Sequence, residues 1–100
     1  MKIAIACLKN AVDSEVSQIA GRAPYYLIFE KGQLVKSIKN PFVVGGGGAG
    51  FGVTKMLADG KIKLVIAGKF GENMKIALNN KQIRFKETTK NIKEILKENK

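Results

Sequence analysis

The chain reads as one α/β domain whose mixed sheet is covered by helices, and three features predict it. An aromatic and β-branched hairpin occupies residues 24–39, strand and helix periods alternate after it, and two glycine-led turns open into helical apolar spacing. A hairpin supplies an antiparallel pair, whereas strand, helix and strand in succession favour a right-handed crossover to a parallel partner. One hundred residues with 45% hydrophobic content suffice for one such core and not for two.

Residues 2–8 form a short buried strand: Ile3-Ala4-Ile5-Ala6-Cys7-Leu8 is apolar until Lys9 and Asn10 interrupt it. The run lacks the full apolar region and cleavage pattern of a secretory signal. Residues 13–20 read as a turn and then a short helix, with Asp13 or Ser14 as N-cap. Residues 24–30 and 33–39 are paired strands joined by a tight turn at Glu30-Lys31-Gly32-Gln33, and Asn40-Pro41 ends the second. Ala49, Val53, Met56 and Leu57 fall at i, i+4, i+7 and i+8, which predicts a helix over 50–59 closed by Gly60. Ile62–Ala67 is the next strand, and Phe70, Met74, Ala77 and Leu78 repeat the same spacing for a helix over 71–79.

A short strand at 82–85 follows. Thr88 or Thr89 then caps a closing helix with Ile92, Ile95 and Leu96 on its apolar side and Lys90 paired with Glu94. The strands at 2–8, 62–67 and 82–85 are expected to be mutually parallel. Cys7 and Gly68 then lie at carboxyl ends, where open α/β sheets place their ligands.

The glycine-led segments Gly45-Gly46-Gly47-Gly48-Ala49-Gly50 and Ala67-Gly68-Lys69-Phe70-Gly71 both precede helices. Glycine lets a ligand approach the main chain, and the free N–H groups of a starting helix favour anions. The first segment also reads as a mobile loop over Gly45–Gly48, and the second as a turn with no ligand. Neither is a nucleotide signature. The first lacks the Gly-Lys-Ser/Thr ending, and it follows a hairpin and Pro41 instead of opening a β-α-β unit.

Sixteen lysines and two arginines face eight acids, a net charge of +10 that favours anionic partners. Nucleic acid, phosphorylated metabolites and anionic metal clusters all qualify. The cations are scattered, which suits a solubilising surface better than a dense nucleic-acid patch. There is no histidine, so serine–histidine and cysteine–histidine catalysis are excluded. One cysteine without histidine argues against structural zinc, and the acids show no convergence of the kind a two-metal nuclease needs. A non-enzymatic role follows. Cys7 reads either as a buried core thiol or as a thiolate ligating a soft metal centre. As the single cysteine it forms no internal disulfide, which favours a cytoplasmic setting. No apolar run approaches the ~20 residues that cross a bilayer, so no membrane partner is expected.

The segment Asp13-Ser14-x-Val16-Ser17-x-x-x-Gly21-Arg22-Ala23-x-Tyr25 resembles the dinitrogenase iron–molybdenum cofactor biosynthesis family. The likeness continues through Gly47-Gly48-Ala49-Gly50 and Val65-Ile66-Ala67-Gly68-x-x-Gly71 into the closing helix, nearly the whole chain. It implies a three-layer α/β/α fold with a ribonuclease H-like motif, here with a mixed five-stranded sheet. It also implies an accessory protein that binds or carries an iron–molybdenum cofactor or related iron–sulfur cluster.

Combined with the charge reading, the resemblance points to Cys7, Arg22, Gly46, Gly47, Gly48 and Lys69 as cofactor-binding residues around one crevice, with Cys7 as the metal ligand. The family stretch Val-Ser-Pro-His-Phe-Gly-Arg-Ala reads here Val16-Ser17-Gln18-Ile19-Ala20-Gly21-Arg22-Ala23. Ile19 stands at the histidine position and cannot ligate metal. The expected partner is an anionic metal cluster or other anionic ligand, together with a partner protein in cofactor assembly. The alternatives are a basic module for a phosphorylated metabolite or nucleic acid without metal, and a regulatory or protein-interaction domain.

Overall fold

The computed structural model describes residues 1–42 and 49–98. Lys2–Cys7 (β1) runs through the middle of the sheet. Ile3, Ile5 and Cys7 are buried on one of its faces and Ala4 and Ala6 on the other, the two-residue period of a strand. Tyr25–Glu30 (β2) pairs with β1 antiparallel, and Gln33–Lys39 (β3) extends the sheet beyond it. On the other side Ile62–Ala67 (β4) pairs with β1 in parallel, and Arg84–Glu87 (β5) pairs in parallel with β4. The order is β3-β2-β1-β4-β5, the mixed five-stranded sheet that the sequence implies. Lys31 and Gly32 link β2 to β3 with φ of 53° and 78°. Two successive left-handed residues match the twist of a hairpin.

Ala49–Asp59 (α1) and Glu72–Asn80 (α2) cover one face, and Ile92–Glu98 (α3) covers the other, giving three layers. Val53, Leu57, Met74 and Leu78 pack over Ala4, Ala6, Val65 and Ala67, where small strand residues let the helices sit close. Ile92 and Ile95 pack over Ile5, Cys7, Leu27 and Ile66. Burial of each large aliphatic side chain stabilises by about 1.5–3 kcal/mol, so these two clusters outweigh any of the exposed ion pairs. Among the described residues, no helix is long and apolar enough to cross a membrane.

Several local expectations are corrected by where the backbone groups find partners. Residues 13–20 contain no α-helix; a short 3₁₀ turn follows at Ala20–Arg22. Ser14 folds its loop by accepting the N–H groups of Leu8 and Lys9 at 3.1 and 2.9 Å. The left-handed residue after α1 is Lys61, with φ of 61°, and not Gly60. The last strand starts at Arg84, since Ile83 donates its N–H to Leu78 at the end of α2. Asn91 caps α3 by accepting the Glu94 N–H at 2.9 Å, displacing Thr88 and Thr89 from that role. Lys90 pairs with Glu98 at 2.8 Å and not with Glu94.

Candidate functional site

The carboxyl edge of the sheet is built around the segment that follows β1. Val16 forms an antiparallel bridge with Cys7, and Ile19 forms a parallel bridge with Lys69. The Ser17 N–H donates to Ala6 O at 2.7 Å, and the Gly68 N–H donates to Ser17 O at 2.8 Å. Ala20 completes the seam by donating its N–H to Lys69 O at 2.9 Å. Residues 16–20 are therefore wedged between the ends of β1 and β4. An extended segment with backbone partners on both sides cannot also be a helix, which is why the turn expected at the start of 13–20 is not followed by an α-helix there.

This wedge explains Gly68. A β-carbon there would lie 2.7 Å from Gln18 Cα, closer than real β-carbons approach backbone. The glycine serves a close crossing of two chains. Glu87 holds the same turn from below, its carboxylate accepting the Phe70 N–H at 2.9 Å. Gly71 then starts α2 in open space, with nothing within 4 Å of where a β-carbon would stand.

On the other flank, Asn40 ties the 3₁₀ turn to the chain that leads toward the glycine run. Its amide donates to Gly21 O at 3.2 Å and Ala23 O at 2.8 Å, and its carbonyl accepts the Phe42 N–H at 2.9 Å. Arg22 Nη1 donates to Phe42 O at 3.0 Å, so the guanidinium sits at the foot of that run. Tyr26, buried beneath, donates its hydroxyl to Ala20 O, and burial holds its ionisation well above the usual phenol range. Beyond the run, Gly50 brings the first turn of α1 against the first turn of α2, where an added β-carbon would meet Met74 Cβ at 2.9 Å. Two helix N-termini thus converge at the edge that carries Lys69 and Arg22. Gly46, Gly47 and Gly48 lie outside the described residues, as does the expected mobility of Gly45–Gly48.

Cys7 does not join this group. Its side chain is fully buried with Ile5, Leu27, Ile66, Ile92 and Ile95 on the α3 side. Burial pushes the thiol from an ordinary value near 9 up to about 12, against a smaller lowering by a Leu27 backbone contact. The Sγ donates to Ile5 O at 3.2 Å. The structure places the thiol expected at the crevice inside the packed core instead, where it is held neutral. Ile19, in contrast, is 60% exposed beside Lys69.

The donor set does not suit a protein-ligated metal. Among the described residues, no three His, Cys, Asp or Glu side chains gather to hold an ion, and no buried side-chain polar atom lacks a partner. These residues do not fit side-chain coordination of a cluster. What the edge offers is charge and backbone N–H groups. Sequence reasoning missed Ser17, Gln18, Asn40 and Glu87, which position this edge through contacts with distant backbone.

The model of the Nitro_FeMo-Co family, dinitrogenase iron–molybdenum cofactor, matches residues 1–100. The chain belongs to this family. Solved structures with the same fold include the apo orange protein from Desulfovibrio gigas, at a TM-score of 0.85 and 18% identity, covering 96% of this chain and 83% of that one. PH0822 is similar at a TM-score of 0.79 and 21% identity, over 97% of this chain and 87% of that one. A NifB-like protein from Thermotoga, of the DUF35 family, is similar at a TM-score of 0.79 and 20% identity, over 96% and 84%. No curated protein matches the chain.

Proposed function

We propose that this family member is a non-enzymatic accessory protein that binds or carries an anionic cofactor as cargo, an iron–molybdenum cofactor or related iron–sulfur cluster. The family match supports the class of cargo. The observation that carries the reading is the contact of Gly50 with Met74, which brings the N-terminal turns of α1 and α2 together beside Lys69 and Arg22. Two positive dipole ends with an ammonium and a guanidinium favour an anion over a cation or a neutral ligand. With Cys7 in the core and Ile19 aliphatic, the cargo is held by charge and by N–H groups, without a protein–metal bond.

The test is anaerobic mixing with iron and sulfide, removal of free ions by desalting, and absorption spectroscopy. Visible absorption that stays with the chain, weakens in high salt and falls in Lys69→Ala supports the proposal. A correctly folded chain that retains no absorbing species rejects it. Cys7→Ala should retain the wild-type absorption, since the thiol takes no part.

A further inference from the structure

The excess positive charge does not gather at the carboxyl edge. That edge sets Lys9, Arg22, Lys39, Lys69 and Lys75 against Asp13, Glu15, Glu72 and Glu87, with Lys86 and Lys90 both paired to Glu98. The opposite pole, where the amino ends of β1, β4 and β5 meet the β2–β3 turn, carries Lys2, Lys31, Lys61, Lys63, Lys81 and Arg84. Among the described residues its carboxylates are Glu30 and Asp59, and Asp59 is engaged by Lys55 at 3.2 Å. Lys31 and Lys61 hold left-handed φ values of 53° and 61°. Glycine adopts that conformation at lower cost, so local turn geometry does not account for lysine at either place.

The same pole has an apolar centre. A cavity of about 260 Å³ opens where the face of β2 and β3 extends past the end of α1, lined by Ile28, Val35, Ile38 and Ile62. Lys2, Lys36 and the single carboxylate Glu30 form its margin. Val35, in its lining, is 51% exposed. Ligand pockets for whole small molecules occupy ~300–1,000 Å³, so this cavity suits one side chain better than a free metabolite.

We propose that this pole docks an acidic protein segment, which seats one apolar side chain in the cavity and sets its carboxylates against Lys2, Lys36 and the turn lysines. A desolvated apolar anchor inside a charged margin is the usual anatomy of a protein interface. Nucleic acid fits less well. Single strands are held by stacking on exposed aromatics, and Phe51, the exposed aromatic among the described residues, lies at the other pole. The site is separate from the carboxyl edge, so it stands or falls independently of the cargo.

Fluorescence anisotropy tests it with three labelled probes: a glutamate-rich peptide with one central phenylalanine, the same peptide with alanine there, and an oligodeoxythymidylate. The phenylalanine peptide should bind, and the alanine peptide should bind roughly ten-fold more weakly, the loss expected for one buried anchor. Val35→Asp and Lys36→Glu should each weaken binding several-fold, while Lys39→Glu, the same charge change at the far end of β3, should not. Equal binding of the two peptides, tighter binding of the oligonucleotide, or wild-type binding by both Val35→Asp and Lys36→Glu would overturn the proposal.

Discussion

Gln18 and Gly68 cross so closely that a β-carbon on Gly68 would come within 2.7 Å of Gln18 Cα. The contact is backbone against backbone, so no side-chain rotation relieves it. Gly68→Ala should therefore destabilise the fold by about 1–3 kcal/mol, the range of overpacking in a tight site. In a domain of this size each kcal/mol lowers Tm by roughly 4–8 °C. Gly71→Ala is the matched comparison: its φ is −72° and nothing lies within 4 Å of the new methyl. Thermal denaturation should show the first variant well below wild type and the second close to it. Equal Tm values would mean that residues 16–20 move aside freely.

The buried Cys7 thiol makes a pH prediction with a definite sign. Its folded value, pushed up to about 12, lies above its ordinary value near 9. In the unfolded chain the thiol loses its proton first, so the unfolded state is favoured as alkali increases. The contribution from this group is fully present below pH 9 and is lost between pH 9 and 12. Denaturant titrations across that window should show a steeper alkaline loss for wild type than for Cys7→Ala. At neutral pH a thiol-reactive disulfide reagent should label Cys7 only after denaturant is added. Rapid labelling of the native chain would contradict the burial.

Helices and central strands were legible because each carries its own period. Val53 with Leu57, and Met74 with Leu78, mark a buried stripe by spacing alone, and both pairs are buried. The wedge at 16–20 was not legible, since its hydrogen bonds go to Ala6, Gly68 and Lys69, residues whose proximity only the tertiary fold creates. Gly68 was conspicuous as a glycine, but its reason, the backbone of Gln18, lies 50 residues away in the sequence. The placement of Cys7 had a readable signal: it shares the odd-numbered face of β1 with Ile3 and Ile5, both core residues. The amino-pole charge was hidden because its lysines are spread over turns and strand starts that are far apart in sequence.

Asn40 is 3% exposed and uses both ends of its amide, so its removal should be felt beyond packing. Asn40→Ala leaves Gly21 O, Ala23 O and the Phe42 N–H without that partner. Leaving buried polar groups unpaired costs about 1–3 kcal/mol, which corresponds to a Tm fall of roughly 5–20 °C. Because the same amide fixes the chain that Arg22 grips, the variant should also bind anionic cargo more weakly at temperatures where it is fully folded. Wild-type affinity in folded Asn40→Ala would separate the 3₁₀ turn from the binding edge.

Ile19 offers the sharpest test of where a metal would be met. Its side chain is 60% exposed and its backbone is bridged to Lys69, so substitution alters the edge without touching the core. Surface changes of this kind usually shift stability by less than about 0.5 kcal/mol, so loss of fold should not confuse the result. Ile19→His places an imidazole, a competent iron ligand, beside the converging N-termini of α1 and α2. Iron or cluster retention after anaerobic reconstitution and desalting should increase, and the increase should be resistant to salt, because a coordinate bond is screened far less than a charge contact. The gain should disappear as the imidazole is protonated below its ordinary value near ~6.5, since only the neutral ring binds metal. Unchanged iron retention in a folded Ile19→His chain would place the metal-facing part of any cargo away from this residue.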